Sequence, residues 1–147
     1  MNAASSLRDH TRHTSLTRRL AGAFLLGVLS MTACSQPTAH ADMVTLDQAR
    51  ADHEAGKVVL IDIREPMEHA TGVAKGATLL PMSQLRQRVG EIPTDSSKPV
   101  YLICNTQNRS ASTLGALRQT GGFTHVRYVH GGMSEWAKRG WPMVKPQ

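Results

Sequence analysis

The stretch Val100-Tyr-Leu-Ile-Cys-Asn-Thr-Gln-Asn-Arg-Ser110 decides how this 147-residue chain reads. Its first four residues are apolar without interruption, the pattern of a strand covered on both faces rather than one. The polar residues after Cys104 then lead to a helix opening near Arg109. Val58-Val-Leu-Ile-Asp-Ile63 repeats the β-branched run, so both segments read as central strands of a parallel sheet. In an open parallel sheet, sites form outside the carboxyl ends of the strands. Cys104 stands at such an end.

Working outward, strands alternate with helices. Thr45-Leu-Asp-Gln48 has capping-box spacing and opens a helix that stops at Gly56. A short helix is expected over Ser83 to Val89 after Pro81, and a turn-rich loop over Pro93 to Pro99. Ser110 to Gln119 places Ala111, Leu114 and Leu117 on one face and ends at Gly121-Gly122, a helix with a glycine stop. Val126 to Val129 is a third strand. Gly131-Gly132 leads to a last helix, Met133 to Arg139, with Trp136 as its core anchor. Right-handed crossovers then give an α/β fold, a central parallel sheet with helices on both faces.

Charge and composition narrow the function. The formal charge is +6, but residues 1–41 carry four arginines against Asp9, so half of the excess belongs to that segment. Residues 42–147 hold thirteen Lys and Arg against ten Asp and Glu, with no basic run and no interleaved aromatics, which argues against a nucleic-acid partner. Forty per cent apolar content suffices for one core.

Arg18-Arg19 followed by the apolar stretch Leu20 to Ala33 has the basic and hydrophobic regions of a secretory signal, too short to span a bilayer. Residues 1–41 therefore read as an export leader and linker, and 42–147 as the domain. Two cleavage readings stand. Met31-Thr-Ala-Cys34 is similar to a lipobox, which would make Cys34 a lipid anchor of a periplasmic, membrane-attached protein. Ala39-His-Ala41 fits ordinary signal peptidase and would release a soluble one. Either way the leader separates the two cysteines, so Cys104 is expected as a free thiol.

That thiol sits where backbone amides and a helix dipole converge, and both favour thiolate over thiol. Arg109 adds a fixed positive charge and a fork of donors for an anionic oxygen. Asp62 and Arg64, after a buried strand, read as a pair that organises neighbouring loops, and Glu65 and Glu68 read the same way. The seven histidines show no ligand spacing, so neither a metal nor a cofactor is called for.

Four motifs in order give these residues a family resemblance. Leu60-Ile-Asp62-Ile-Arg64-Glu65-Pro66-x-Glu68, Gly76-Ala77, Cys104-x4-Arg109-Ser110, and Gly131-Gly132-x3-Trp136-x3-Gly140-x-Pro142 resemble the signatures of the rhodanese family over roughly residues 43 to 144. The resemblance implies a persulfide on Cys104, an amide cradle and substrate contacts from Asn105, Thr106, Gln107, Asn108 and Arg109, and the rhodanese-like fold. It implies ping-pong sulfur transfer from a small sulfur-containing anion such as thiosulfate to cyanide or a thiol acceptor. Gln107 stands where the family often has Gly, which predicts a strained or reshaped loop. Asn105 stands where many thiosulfate-using members carry a basic residue, and Val73 replaces a frequent His. Two rivals share these residues. A cysteine phosphatase uses C-x5-R, one residue longer than this loop, and a persulfide relay or binding module would hold sulfur for a partner protein.

Overall fold

Strand order and register follow from how completely each run is buried. A computed structural model describes residues 41–146; the leader, apart from Ala41, and Cys34 lie outside the described residues. Five strands form one sheet in the order β1-β5-β4-β2-β3, with every pair parallel. They are β1 Met43–Val44, β2 Val59–Asp62, β3 Thr78–Leu79, β4 Val100–Ile103 and β5 Val126–Val129. The helices are α1 Leu46–Glu54, α2 Pro66–His69, α3 Leu85–Arg88, α4 Asn108–Thr120 and α5 Gly132–Lys138.

The period of two along each strand sorts its side chains onto two cores. Leu60, Tyr101, Ile103 and Val129 pack with Leu46 and Ala49 of α1 and with Met133 and Trp136 of α5. Ile61, Ile63, Val100, Leu102, Val126 and Cys104 pack with Leu114 and Leu117 of α4 on the other face. Helices thus cover both faces, which is why β2 and β4 read as unbroken apolar runs. Each fully buried Leu or Ile contributes roughly 2 kcal/mol.

The helices differ in detail from the sequence reading. Thr45 Oγ1 caps α1 by accepting from Gln48 N–H at 3.2 Å, but the Gln48 side chain donates forward to Asp52 at 2.8 Å, so only half of the capping box forms. The expected helix over 83–89 is broken up. Met82–Gln84 and Val89–Glu91 are single 3-10 turns that flank the four residues of α3. In α4, which starts two residues earlier than expected, Ser110, Thr113, Leu114 and Leu117 are buried, while Ala111 is half-exposed. Trp136 is buried, its indole N–H donating to Pro142 C=O at 3.1 Å. Trp141 packs edge-on against it, and the Arg50 and Arg139 guanidinium groups each lie over the Trp141 ring.

Candidate active site

Register brings the two motif-bearing strand ends together, with Asp62 of β2 opposite Ile103 of β4. The next residue along β4 is Cys104. Its side chain is only 1% exposed and belongs to the core under α4.

The loop beyond it is held from behind by α5. Met133 and Ser134 N–H groups donate to the carbonyl oxygens of Cys104 and Asn105, each at 2.8 Å. Gly132 permits that approach. It sits at φ +60°, and a Cβ placed there would fall on the carbonyl oxygens of Cys104, Asn105 and Thr106. A planar trans peptide turns the next N–H away from the side its carbonyl faces. The amides of Asn105, Thr106 and Gln107 therefore face away from α5. From Asn105 to Ser110, no backbone N–H donates to a protein acceptor among the described residues. A run of unpaired donors at the start of the 13-residue α4 is a cradle for negative charge, reinforced by the helix dipole.

Gln107 is not strained. Its φ of −162° is ordinary extended backbone, which corrects the expectation of a cost for replacing glycine there. Its side chain reshapes the loop instead. Gln107 Oε1 accepts from Gly131 N–H at 3.1 Å, and Gln107 C=O accepts from Ala111 N–H at 2.8 Å. One residue thereby braces the start of α4 against the start of α5. Asn105, Thr106 and Asn108 present exposed side chains around it.

Ser110 belongs to the motif read from the sequence, where it was assigned no role of its own. It is fully buried, its Oγ lies 3.5 Å from Cys104 Sγ, and it donates to Gln107 C=O at 3.0 Å. A hydroxyl has one proton and two lone pairs. With the sulfur protonated, S–H points to Ser110 and the hydroxyl to Gln107. With the sulfur ionised, the hydroxyl can rotate to donate to it. The signal was the polar residue directly after Arg109, one helical turn from the cysteine loop.

Arg109 is brought to the site but is not free. Its Nη1 and Nη2 donate to Glu68 Oε2 and Oε1 at 2.7 and 2.6 Å, a bidentate pair. Those hydrogen bonds raise the Arg109 pKa above its usual value, opposed by desolvation and helped by the charge of Glu68 itself. They also hold Glu68 down at about 2, helped by Glu65 N–H and the Arg64 charge and opposed by desolvation. Nothing in the sequence linked residues 41 positions apart.

Asp62 and Arg64 lie beneath as the sequence reading had them, buried and paired. Arg64 Nη2 donates to Asp62 Oδ2 at 2.7 Å and to Gly72 C=O at 2.8 Å, and Arg64 Nε reaches both carboxylate oxygens at 3.0 Å. Arg64 Nη1 touches Glu68 C=O at 3.4 Å. The buried pair thus fixes the segment that carries Glu68. His69 Nε2 lies 3.4 Å from Asp62 Oδ1 but forms no hydrogen bond there.

The chain is 38% identical to a sulfurtransferase from Allochromatium vinosum over 106 residues, 72% of this chain and 94% of that one. It is 42% identical to the Bacillus subtilis protein YqhL over 93 residues, 63% of this chain and 70% of that one. Its fold is similar to that of a rhodanese-related protein from Thermoplasma volcanium, with a TM-score of 0.62 and 27% identity over 71% of this chain and 98% of that one. The model of the rhodanese-like domain matches residues 45–139, from the cap of α1 through the helix that clamps the Cys104 loop, and the chain belongs to that family.

Proposed function

We propose that the protein is a sulfurtransferase that moves sulfane sulfur from a donor such as thiosulfate to a thiophilic acceptor through a persulfide on Cys104. The observation that carries this reading is the run of backbone amides from Asn105 to Ser110 without protein acceptors, beside a buried thiol that touches a hydroxyl able to donate to it.

The Cys104 thiolate attacks the outer sulfur of the donor. The donor S–S bond breaks, and the leaving group departs with the bonding electrons, as sulfite when thiosulfate is the donor. Cys104 keeps the outer sulfur, and the negative charge moves from Sγ to the terminal sulfur. The loop amides follow that charge without reorganising, which is how a preorganised cradle lowers a barrier. Ser110 rotates toward Sγ whenever the sulfur is anionic. An acceptor thiolate or cyanide then attacks the terminal sulfur and regenerates the Cys104 thiolate, so no base or metal is required to balance the cycle.

Incubation with excess thiosulfate, followed by intact mass measurement, tests this. The protein gains one sulfur atom, cyanide removes it, and Cys104→Ser never acquires it. A folded protein that gains no sulfur, or a Cys104→Ser variant that does, overturns the assignment.

A further inference from the structure

A groove between α4 and the segment 82–89 carries chemistry that sulfur transfer does not use. It encloses about 400 Å³ and is lined by eight residues. Met82, Leu85 and Val89 line it from one side and Ala116 of α4 from the other. Met82 and Val89 are 38% and 37% exposed, unusual for side chains of their size here, and Leu85 packs down against the core that holds Leu114, Leu117 and Cys104. We propose that this groove binds a single-chain amphipathic anion, a fatty carboxylate. Its hydrocarbon lies on Met82, Leu85, Val89 and Ala116, and its carboxylate meets Arg86.

Size and charge select that class. Small-molecule sites run from roughly 300 to 1,000 Å³ and are mostly apolar with a few polar groups. A stable protein partner instead covers roughly 20–30 residues a side. Eight residues suit the first and fall short of the second. Arg86 is the only charged residue of the lining, and among the described residues no acid pairs with it. Glu91, close by in the chain, is taken by Arg88 at 2.6 and 2.8 Å. Glu65 lies outside the lining, held by the N–H and hydroxyl of Ser83 at 3.0 and 2.7 Å. A carbon-lined groove with one uncompensated cation complements an apolar chain that ends in one negative charge.

Thr113 adds a second polar handle. It belongs to the lining and is 4% exposed, and its Oγ1 has no hydrogen-bond partner among the described residues. Buried polar atoms as a rule have one. Threonine in a helix divides between two χ1 rotamers, so a single rotamer step offers that hydroxyl to a carboxylate oxygen beside Arg86.

The test titrates the full chain, carrying ¹³C-methyl methionine, with hexanoate, octanoate and decanoate below their micelle concentrations and with octanol as the neutral probe. The Met82 methyl signal shifts saturably, while that of Met67, 87% exposed on α2, stays in place. Each added CH₂ tightens binding up to about fourfold, the transfer free energy of one buried methylene. Arg86→Gln weakens octanoate about threefold, the scale of an exposed ion pair, and leaves octanol unchanged. Ala116→Glu, at an exposed position of α4, abolishes the Met82 response without moving the signal of buried Met133. A Met67 signal that shifts as much as Met82 means adsorption of an adventitious additive only and overturns the site. So does a silent Met82, an affinity independent of chain length, or an octanoate-to-octanol ratio unmoved in Arg86→Gln. Three other results overturn it by naming a different occupant: a Met82 signal that moves on dilution of the protein alone (a second copy), cross-peaks from Met82 to the Met31 methyl (the apolar stretch Leu20 to Ala33), or a response to phosphatidylglycerol vesicles with none to decanoate (a lipid surface).

Discussion

Two arginine–carboxylate pairs flank the Cys104 loop, and they differ chiefly in their access to water. In the Arg64–Asp62 pair the side chains are 4% and 0% exposed; in the Arg109–Glu68 pair both are 32% exposed. Geometry alone does not separate them, since both are bidentate with contacts near 2.7 Å. The difference lies in what happens when one partner is removed. A charge left behind in the buried pair has no water to turn to, whereas one left in the half-exposed pair is rehydrated. The inner pair is thus a fixed strut that holds the segment from Arg64 to Gly72 on the sheet. The outer pair is adjustable, and it ties α2 to the start of α4.

The sharpest way to break that contrast is Arg64→Met. It keeps much of the side chain's volume but leaves the Asp62 carboxylate in the core without its guanidinium partner, with His69 Nε2 at 3.4 Å. Such a deletion is expected to cost about 3–5 kcal/mol, read from the midpoint of urea unfolding at neutral pH. A loss under about 1 kcal/mol would place this pair with surface ion pairs and erase the distinction. Between the two extremes stands a neutral brace, Gln107 on Gly131. Gln107→Ala removes one hydrogen bond from a half-buried amide, for an expected loss of about 1 kcal/mol together with slower sulfur loading as the loop loosens. A full 3 kcal/mol would mean that this neutral contact, not the buried ion pair, is the main tie between the loop and the fold.

What could be read from the sequence follows the same division by burial. β2 and β4 were legible because strands buried on both faces leave continuous apolar runs, and β5 because Val126 and Val129 bracket a short run before Gly131-Gly132. β1 and β3 were not, since two residues at a sheet edge carry no period, and Thr78–Leu79 is partly exposed. The four-residue α2 was invisible as a helix, although its residues were quoted as motif. Cys104 was found by its position after β4, and the Asp62–Arg64 pairing by proximity in the chain. The link from Glu68 to Arg109 was missed because it spans 41 residues and depends on where α2 comes to lie. Of the two readings of Gln107, strain or a reshaped loop, the second holds, through a side-chain partner in Gly131 that lies 24 residues away.

Acid gives the smallest and most selective test of the two-pair comparison. Glu68 is held down at about 2 against an ordinary 4.5, first by its hydrogen bonds from Arg109. A carboxylate with a lowered folded-state pKa stabilises the protein fully above its unfolded value and loses that contribution as pH falls toward the folded one. The stability gap between wild type and Glu68→Gln is therefore constant from neutrality down to about 4.5 and closes between 4.5 and about 2. With both partners a third exposed, the gap itself is expected to be about 0.3–1 kcal/mol. It should shrink further in molar salt, which screens a water-exposed pair far more than a buried one. Comparing the two proteins at each pH cancels the titration of every other carboxylate, so the closing gap reports on this pair alone. If the gap instead widens on acidification, or survives to the bottom of that range, the Arg109 contact is not what holds Glu68 ionised.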